Sequence, residues 1–310
     1  MIPVLETVPN FSEGRDPGFV EAVRGAFERS GCDVLHTTMD PDHHRSVVTV
    51  IGPPGAVEDG AVAAARLALE RIDLRKHSGV HPRVGALDVL PFVPLQGQGM
   101  DDAVRSARRV GARIAALGLP VYFYAQASKP PGRTLASVRR GGFEALRERR
   151  GHGGAADLPG RDAGASPIHR FAHPSAGAVC VGARAVLLAW NVDVEGLSRE
   201  AARGIAAGIR ETAGGFRGLR ALAFRLRGQG RTQISMNLED PSATDPVEVF
   251  TRIEREASRL GGTVAGTEVV GLAPDALASP AAVRAMRIRD WSDERLLRRR
   301  VDAWIAAAGG

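Results

Sequence analysis

The sequence predicts an α+β fold of two successive β-α-β-β-α-β units followed by a helical tail. Three observations predict it. Strand-like apolar runs and helix-spaced apolar residues recur in the same order twice along the chain. A stretch rich in Gly, Ala, Arg and Pro, residues 147–176, lacks either periodicity and separates the two halves. At about 100–200 residues per domain, the 310 residues suit one large domain or two smaller ones.

Residues 3–8 read as a short strand. Residues 17–30 read as a helix, with Phe19, Val23 and Phe27 at four-residue spacing and Gly31 as its stop. Residues 34–38 and 46–51 are strands, the second β-branched and apolar, and Gly52-Pro53-Pro54-Gly55 makes a turn. Val57, Ala61, Ala64, Ala68 and Ile72 mark one face of the next helix, and residues 85–93 return as a strand. A helix over 101–117 and a strand over 121–125 extend this first unit. The 147–176 stretch reads as a linker or a long functional loop, which places the domain boundary at its end: residues 1–176 and residues 177–310.

The second half repeats the order without obvious sequence identity. It has a strand over 185–192, a helix over 199–212, and a hairpin of 219–226 and 232–238 around Arg227-Gly228-Gln229-Gly230-Arg231. Pro246 opens the next helix, and a strand over 263–270 closes the unit. In the tail, Leu296, Leu297, Val301, Trp304 and Ile305 form an apolar stripe suited to packing.

Composition excludes several classes. No run of about 18 apolar residues is present, so no transmembrane helix is expected, and the N-terminus lacks a basic, apolar secretory pattern. Cys32 and Cys180 give no disulfide framework and fit a reducing cytoplasm. The net charge of +6 comes almost entirely from arginine, with only Lys76 and Lys129 as lysines. No basic stripe interleaved with aromatics points to nucleic acid; an anionic small molecule fits the charge as well.

Three segments carry more polar punctuation than packing needs. Val8-Pro9-Asn10-Phe11-Ser12-Glu13-Gly14-Arg15-Asp16 lies between a strand and a helix, where ligand contacts concentrate and where Ser12 or Asp16 also serves as a helix cap. Asp40-Pro41-Asp42-His43-His44-Arg45 holds two carboxylates, two imidazoles and a guanidinium, as a polar hairpin, a metal site or a proton-transfer site. Arg75-Lys76-His77-Ser78-Gly79-Val80-His81-Pro82-Arg83 spaces His77 and His81 four apart. Gly79 and Pro82 argue against the helix that a two-histidine metal site would use. A metal site joining these histidines to Asp40, Asp42 or His43 stays open beside locally hydrogen-bonded loop histidines. No nucleophile elbow, Walker loop or dinucleotide fingerprint occurs in its required context.

Together these segments resemble the formiminotransferase domain, which occurs alone or joined to a cyclodeaminase. The resemblance rests on Val8-Pro9-Asn10-Phe11-Ser12-Glu13-Gly14, Gly52-Pro53-Pro54, His81-Pro82-Arg83-Val84-Gly85-Ala86-Leu87-Asp88 and Pro91-Phe92-Val93-Pro94. In the second half it adds Gly182-Ala183-Arg184, Asn191, Gln233-Ile234-Ser235-Met236-Asn237-Leu238 and Val270-Gly271-Leu272. It runs in order from about residue 4 to residue 275. It implies two ferredoxin-like subdomains with a substrate cleft between them, a homodimer, no metal, and no cyclodeaminase activity. It also implies transfer of the formimino group of N-formimino-L-glutamate to tetrahydrofolate as co-substrate, with His81 rather than His77 as general acid/base. Two departures stand out. His44 lies where relatives commonly carry Asn, and the family's Asp-Phe-Gly-Pro element is not recognisable around Asp162-Ala163-Gly164.

On that resemblance the folate N5 amine attacks the formimino carbon, a tetrahedral intermediate forms, and the glutamate amine leaves. A histidine with a pKa near the working pH serves both proton transfers, and Arg83 and Asp88 are placed to orient and tune it. Both substrates carry carboxylates, which arginine forks suit. Arg45, Arg83 and Arg184 are the expected forks, and Asn10, Glu13, His44, Asp88, Asn191, Gln233 and Asn237 the expected polar contacts. The alternatives are transfer of a related unit such as formyl, and a non-catalytic folate- or anion-binding relative.

Overall fold

A computed structural model describes residues 2–148, 154–161, 168–226 and 231–308. The chain divides into two compact units, Met1–Arg184 and Ala185–Gly310.

In the first unit the opening strand is split into β1 (Leu5–Thr7) and β2 (Asn10–Phe11) around Pro9, which has no N–H to give a ladder. Helix α1 (Pro17–Arg29) starts with a proline, and the Asp16 carboxylate accepts from Phe19 N at 3.1 Å. Strands β3 (Asp33–Asp40) and β4 (Arg45–Gly52) form a hairpin. They are followed by α2 (Pro54–Arg71), β5 (Leu87–Pro94), α3 (Met100–Ala115), β6 (Val121–Ala125), the short α4 (Leu135–Val138) and α5 (Gly142–Arg147), and β7 (Val179–Ala183). The strand order is β3-β4-β1/β2-β5-β7-β6. The first four positions are the ferredoxin-like arrangement; β7 and β6 extend it, parallel to β5. Phe19, Val23 and Phe27 of α1, the alanine face of α2, and Ala107, Val110 and Ile114 of α3 bury one face of the sheet. The other face carries Asn10 and Arg45. At the β5 end it is packed by Tyr122, Tyr124, Val138 and Leu146.

The second unit comprises β8 (Leu188–Glu195), α6 (Arg199–Ile209), β9 (Leu219–Leu226), β10 (Arg231–Leu238), α7 (Pro246–Arg259) and β11 (Thr263–Val269). Its antiparallel order β11-β8-β10-β9 is again ferredoxin-like. Trp190, Val192, Ile234 and Met236 pack under Ile205, Ile209, Phe250 and Ile253. The tail adds α8 (Pro280–Ala285) and α9 (Leu297–Ala308). Before α9, Ile288 bridges Thr267 and Leu296 bridges Ala273. Leu297 and Val301 of the expected stripe are buried, and Trp304 and Ile305 are partly so.

Four expectations need correction. The units divide at Arg184, not at residue 176, because Val179–Ala183 is hydrogen-bonded between β5 and β6 and so belongs to the first sheet. For the same reason the strand expected over 185–192 is displaced to Leu188–Glu195. The described part of the 147–176 stretch is no linker between units: Leu158 bridges Val121, and Leu74 N donates to Ser175 O at 2.8 Å. Asn10 and Phe11, expected in a loop, pair with both β4 and β5. Asp162-Ala163-Gly164 and the turn at Gly228-Gln229-Gly230 lie outside the described residues.

Candidate functional site

The first unit gathers a polar network on the sheet face away from α1–α3. Asn10 opposes Val89 and Phe11 opposes Leu87, so Asp88 is the extra residue of a bulge in β5. That bulge holds the Asp88 carboxylate fully buried. Its Oδ1 accepts from Val84 N at 2.8 Å; its Oδ2 accepts from Arg45 Nη1 at 3.0 Å and from Arg139 Nη2. Arg45 Nη2 also donates to Asn10 Oδ1 at 2.6 Å. Two guanidiniums on one carboxylate leave a net positive charge.

His81 sits against this charge. Its Nδ1 lies 2.8 Å from Pro82 O and 3.2 Å from Arg45 Nη1. A carbonyl only accepts and a guanidinium only donates, so Nδ1 cannot satisfy both. The carbonyl has no hydrogen to give, so the shorter contact, at 2.8 Å, assigns the hydrogen to Nδ1 and the lone pair to Nε2, while Arg45 Nη1 donates to Asp88. Burial, then Arg45 and Arg139, hold the His81 pKa well below the ordinary imidazole value. The ring is thus neutral at neutral pH, a base rather than an evenly poised acid/base. Burial and Arg139 pull Arg45 down to about 10, still charged at neutral pH. Burial opposes the charge on Asp88, but Arg139 and Arg45 outweigh it and hold the carboxyl below its usual range.

Two further pairs flank His81. His43, itself buried, has Nδ1 2.9 Å from Asp40 Oδ2, and Asp40 Oδ1 accepts from His43 N at 2.8 Å. Burial opposes ionisation of Asp40, yet its hydrogen bonds from His43 keep it below the ordinary carboxylate value. The His43 and His81 rings meet edge to face, with centroids 6.1 Å apart. His44, at φ 51°, stacks on His77 with centroids 4.2 Å apart. His44 Nε2 reaches Glu13 Oε1 at 3.3 Å, and His77 Nε2 reaches His44 O at 3.0 Å. Burial lowers both imidazoles, His77 to about 4. Gly79 lets the two segments close, since a Cβ there would lie 2.4 Å from His43 O.

Other expected residues go elsewhere. Arg83 does not orient His81; its Nη2 donates to Glu144 Oε1 of α5 at 2.8 Å. Arg184 interacts with Tyr124 and Glu6, and burial raises Glu6 to about 7. In the second unit Asn191 and Gln233 lie on the sheet face away from its helices. Asn191 Nδ2 donates to Glu268 Oε2 at 3.3 Å, and Gln233 Nε2 to Asp193 Oδ1 at 3.0 Å. Arg231 and Arg289 also donate to the buried Asp193. Asn237 is exposed on the same strand. The histidines that suggested a metal site turn to separate partners, and among the described residues no three His, Cys, Asp or Glu side chains are placed to hold a metal ion.

Residues 4–184 match the formiminotransferase domain, N-terminal subdomain, and residues 189–290 match the formiminotransferase domain. The chain belongs to the formiminotransferase family. It is similar to the glutamate formimidoyltransferase of Thermoplasma acidophilum, 36% identical over 308 residues that cover 96% of this chain and 97% of that one. The glutamate formimidoyltransferase of Streptococcus pyogenes serotype M1 is 35% identical, with 88% and 90% covered. The formimidoyltransferase-cyclodeaminase of Sus scrofa is 39% identical over 88% of this chain, which spans about half, 51%, of that relative. The two family matches meet where the compact units divide.

Within this formiminotransferase fold, sequence reasoning overlooked Arg139, Glu144, Asp193 and Glu6. Arg139 is one arginine among many. Glu6 alternates into a strand where an inward carboxylate looks like an outward one.

Proposed function

We propose that the chain transfers the formimino group of N-formimino-L-glutamate to tetrahydrofolate, yielding 5-formiminotetrahydrofolate and glutamate, with His81 as the group that moves the proton. The observation that carries this reading is the 2.8 Å contact of His81 Nδ1 with Pro82 O beside Arg45, which assigns the lone pair to Nε2 in a positive setting. The folate N5 attacks the formimino carbon while Nε2 takes its proton, and the glutamate nitrogen is protonated as it leaves. The surplus charge of Arg45 and Arg139 over Asp88 suits substrates that carry carboxylates. Asn10, Glu13, His44, Arg83, Arg184, Asn191, Gln233 and Asn237 are assigned to substrate binding in this reading, with Asp88 holding Arg45. No metal enters any step. The enzyme is read as cytoplasmic and homodimeric; both cysteines are buried and free, and no helix among the described residues is long and apolar enough to cross a membrane.

The test assays both formimino and formyl donors with tetrahydrofolate, for the wild type beside His81→Ala and His44→Asn. His81→Ala is expected to lower turnover by about 10²–10⁴-fold with unchanged circular dichroism. Formyl transfer equal to or faster than formimino transfer, or a His81→Ala enzyme within twofold of wild type, overturns the assignment.

A further inference from the structure

The reaction sets a problem that His81 alone solves poorly. N5 gives up its proton before the glutamate nitrogen gains one, so a proton must rest somewhere in between. His81 faces Arg45 and Arg139, and a positive charge on its ring is disfavoured there. Its low basicity makes it a fast carrier and a poor store.

A second imidazole, paired with a carboxylate, lies beside it. The His43 ring meets the His81 ring edge to face at 6.1 Å between centroids. His43 Nδ1 is 2.9 Å from Asp40 Oδ2. The Asp40 carboxylate is locked in place, because its other oxygen accepts from His43 N. Nδ1–H directed at a carboxylate leaves Nε2 as the site of proton uptake, and the resulting imidazolium is countered by Asp40. His43 meets Asp40 on its own hairpin and His81 from the 75–83 segment, with Arg45, Asp88 and Arg139 behind His81. Arg15 donates to Pro41 O on the same turn. Asp40 is an anion in direct contact with His43. His43 is 6% exposed, so it is shielded from solvent without being closed off from it.

We infer that the Asp40–His43 pair is a proton store that works through His81. This rests on the formimino-transfer reading above. The proton lost as the N5–carbon bond forms passes to His81 Nε2 and on to His43 Nε2. As the carbon–nitrogen bond to glutamate breaks, the proton returns through His81 to the departing amine, and both imidazoles end neutral. Nothing is oxidised or reduced, and no other co-reactant is needed.

The test measures kcat, KM and their pH profiles for the full chain as wild type, His43→Gln and Asp40→Asn, with and without added imidazole. His43→Gln is expected to lose about 10–100-fold in kcat with KM within twofold, and millimolar imidazole to restore part of the loss, since a buffer base then takes the proton. Asp40→Asn keeps the acceptor for His43 N and leaves His43 present. It is expected to move the acidic limb of the kcat profile down by about one pH unit, because His43 must be neutral to take up the proton. If His43→Gln misfolds by circular dichroism, Asp40→Asn decides alone. A folded His43→Gln enzyme with wild-type kcat, a loss that imidazole does not touch, or an Asp40→Asn profile superimposable on wild type overturns the store. A wild type that transfers no formimino group fails the functional reading itself, whereas an active wild type with unaffected variants fails the store alone.

Discussion

Asp88→Asn removes the one negative charge between two buried guanidiniums. The Asn carbonyl can still accept from Val84 N, but its NH2 then faces Arg45 Nη1 and Arg139 Nη2, donors against donors. Arg45 and Arg139 are only 14% and 15% exposed, so neither escapes to water without moving. Removing one partner of such a buried pair costs about 3–5 kcal/mol. At a urea dependence of about 2 kcal/mol per molar, the unfolding midpoint falls by about 1.5–2.5 M. The chain supplies separate reporters: both tyrosines, Tyr122 and Tyr124, lie in the first unit, and Trp190, Trp291 and Trp304 all lie in the second. Urea unfolding at neutral pH, followed by the near-ultraviolet dichroism of the tyrosines, measures the first unit directly. The direction with pH follows from the lowered Asp88 pKa: its contribution is present above the ordinary carboxylate range and is lost as pH falls through the folded value. The variant's deficit should therefore shrink in acid. A loss under about 1 kcal/mol at neutral pH would refute the view that Asp88 holds the two arginines in place.

Three further predictions concern charge. Arg139→Gln removes one of the two cations facing His81, so the acidic limb of the kcat/KM profile should move up by about one pH unit; an unmoved limb counts against Arg139 as a tuner of His81. Glu6 is raised by burial to about 7 from 4.5, so the folded state keeps it neutral where the unfolded chain has ionised it. Wild-type stability drops as pH rises through that window, and the advantage of Glu6→Gln over wild type should grow by about 3 kcal/mol between pH 4.5 and about pH 8, read by thermal and urea melts. His77 has the opposite sign of slope: its folded value of about 4 lies below the ordinary 6.5, so stability is full above 6.5 and is lost as pH falls toward 4. His77→Gln should flatten that acid slope, and an unchanged slope in urea titrations across the window contradicts the assignment.

Much of the fold was legible because each ferredoxin-like unit repeats its periodicities cleanly, down to the proline-initiated helices. At the site, Asn10, Arg45, His81 and Asp88 were legible through short motifs, and the structure joins all four. What was illegible depends on three-dimensional neighbours. The run Val179–Ala183 is strand-like in sequence, yet nothing local says that it inserts between β5 and β6 rather than opening the second half. Arg139 is chosen from an arginine-rich stretch only by its reach to Asp88. Asp40-Pro41-Asp42-His43-His44 was visible as a polar cluster. Its division into an Asp40–His43 pair and a His44–His77 stack depends on the left-handed backbone at His44, which turns the two rings to different partners.

The late position of β7 also governs how the protein comes off the ribosome. The segment carrying His81 is fastened at both ends by residues made long after it: Leu74 N to Ser175 O, and Ala86 N to Ala176 O, each 2.8 Å. At about 5–20 residues per second, synthesis reaches those anchors roughly 5–20 s after His81 is made. Through that interval β5 presents an open edge on the side that β7 will fill. A nascent chain halted before Ser175 would therefore expose the β5 edge and leave the His81 segment unfastened at both ends.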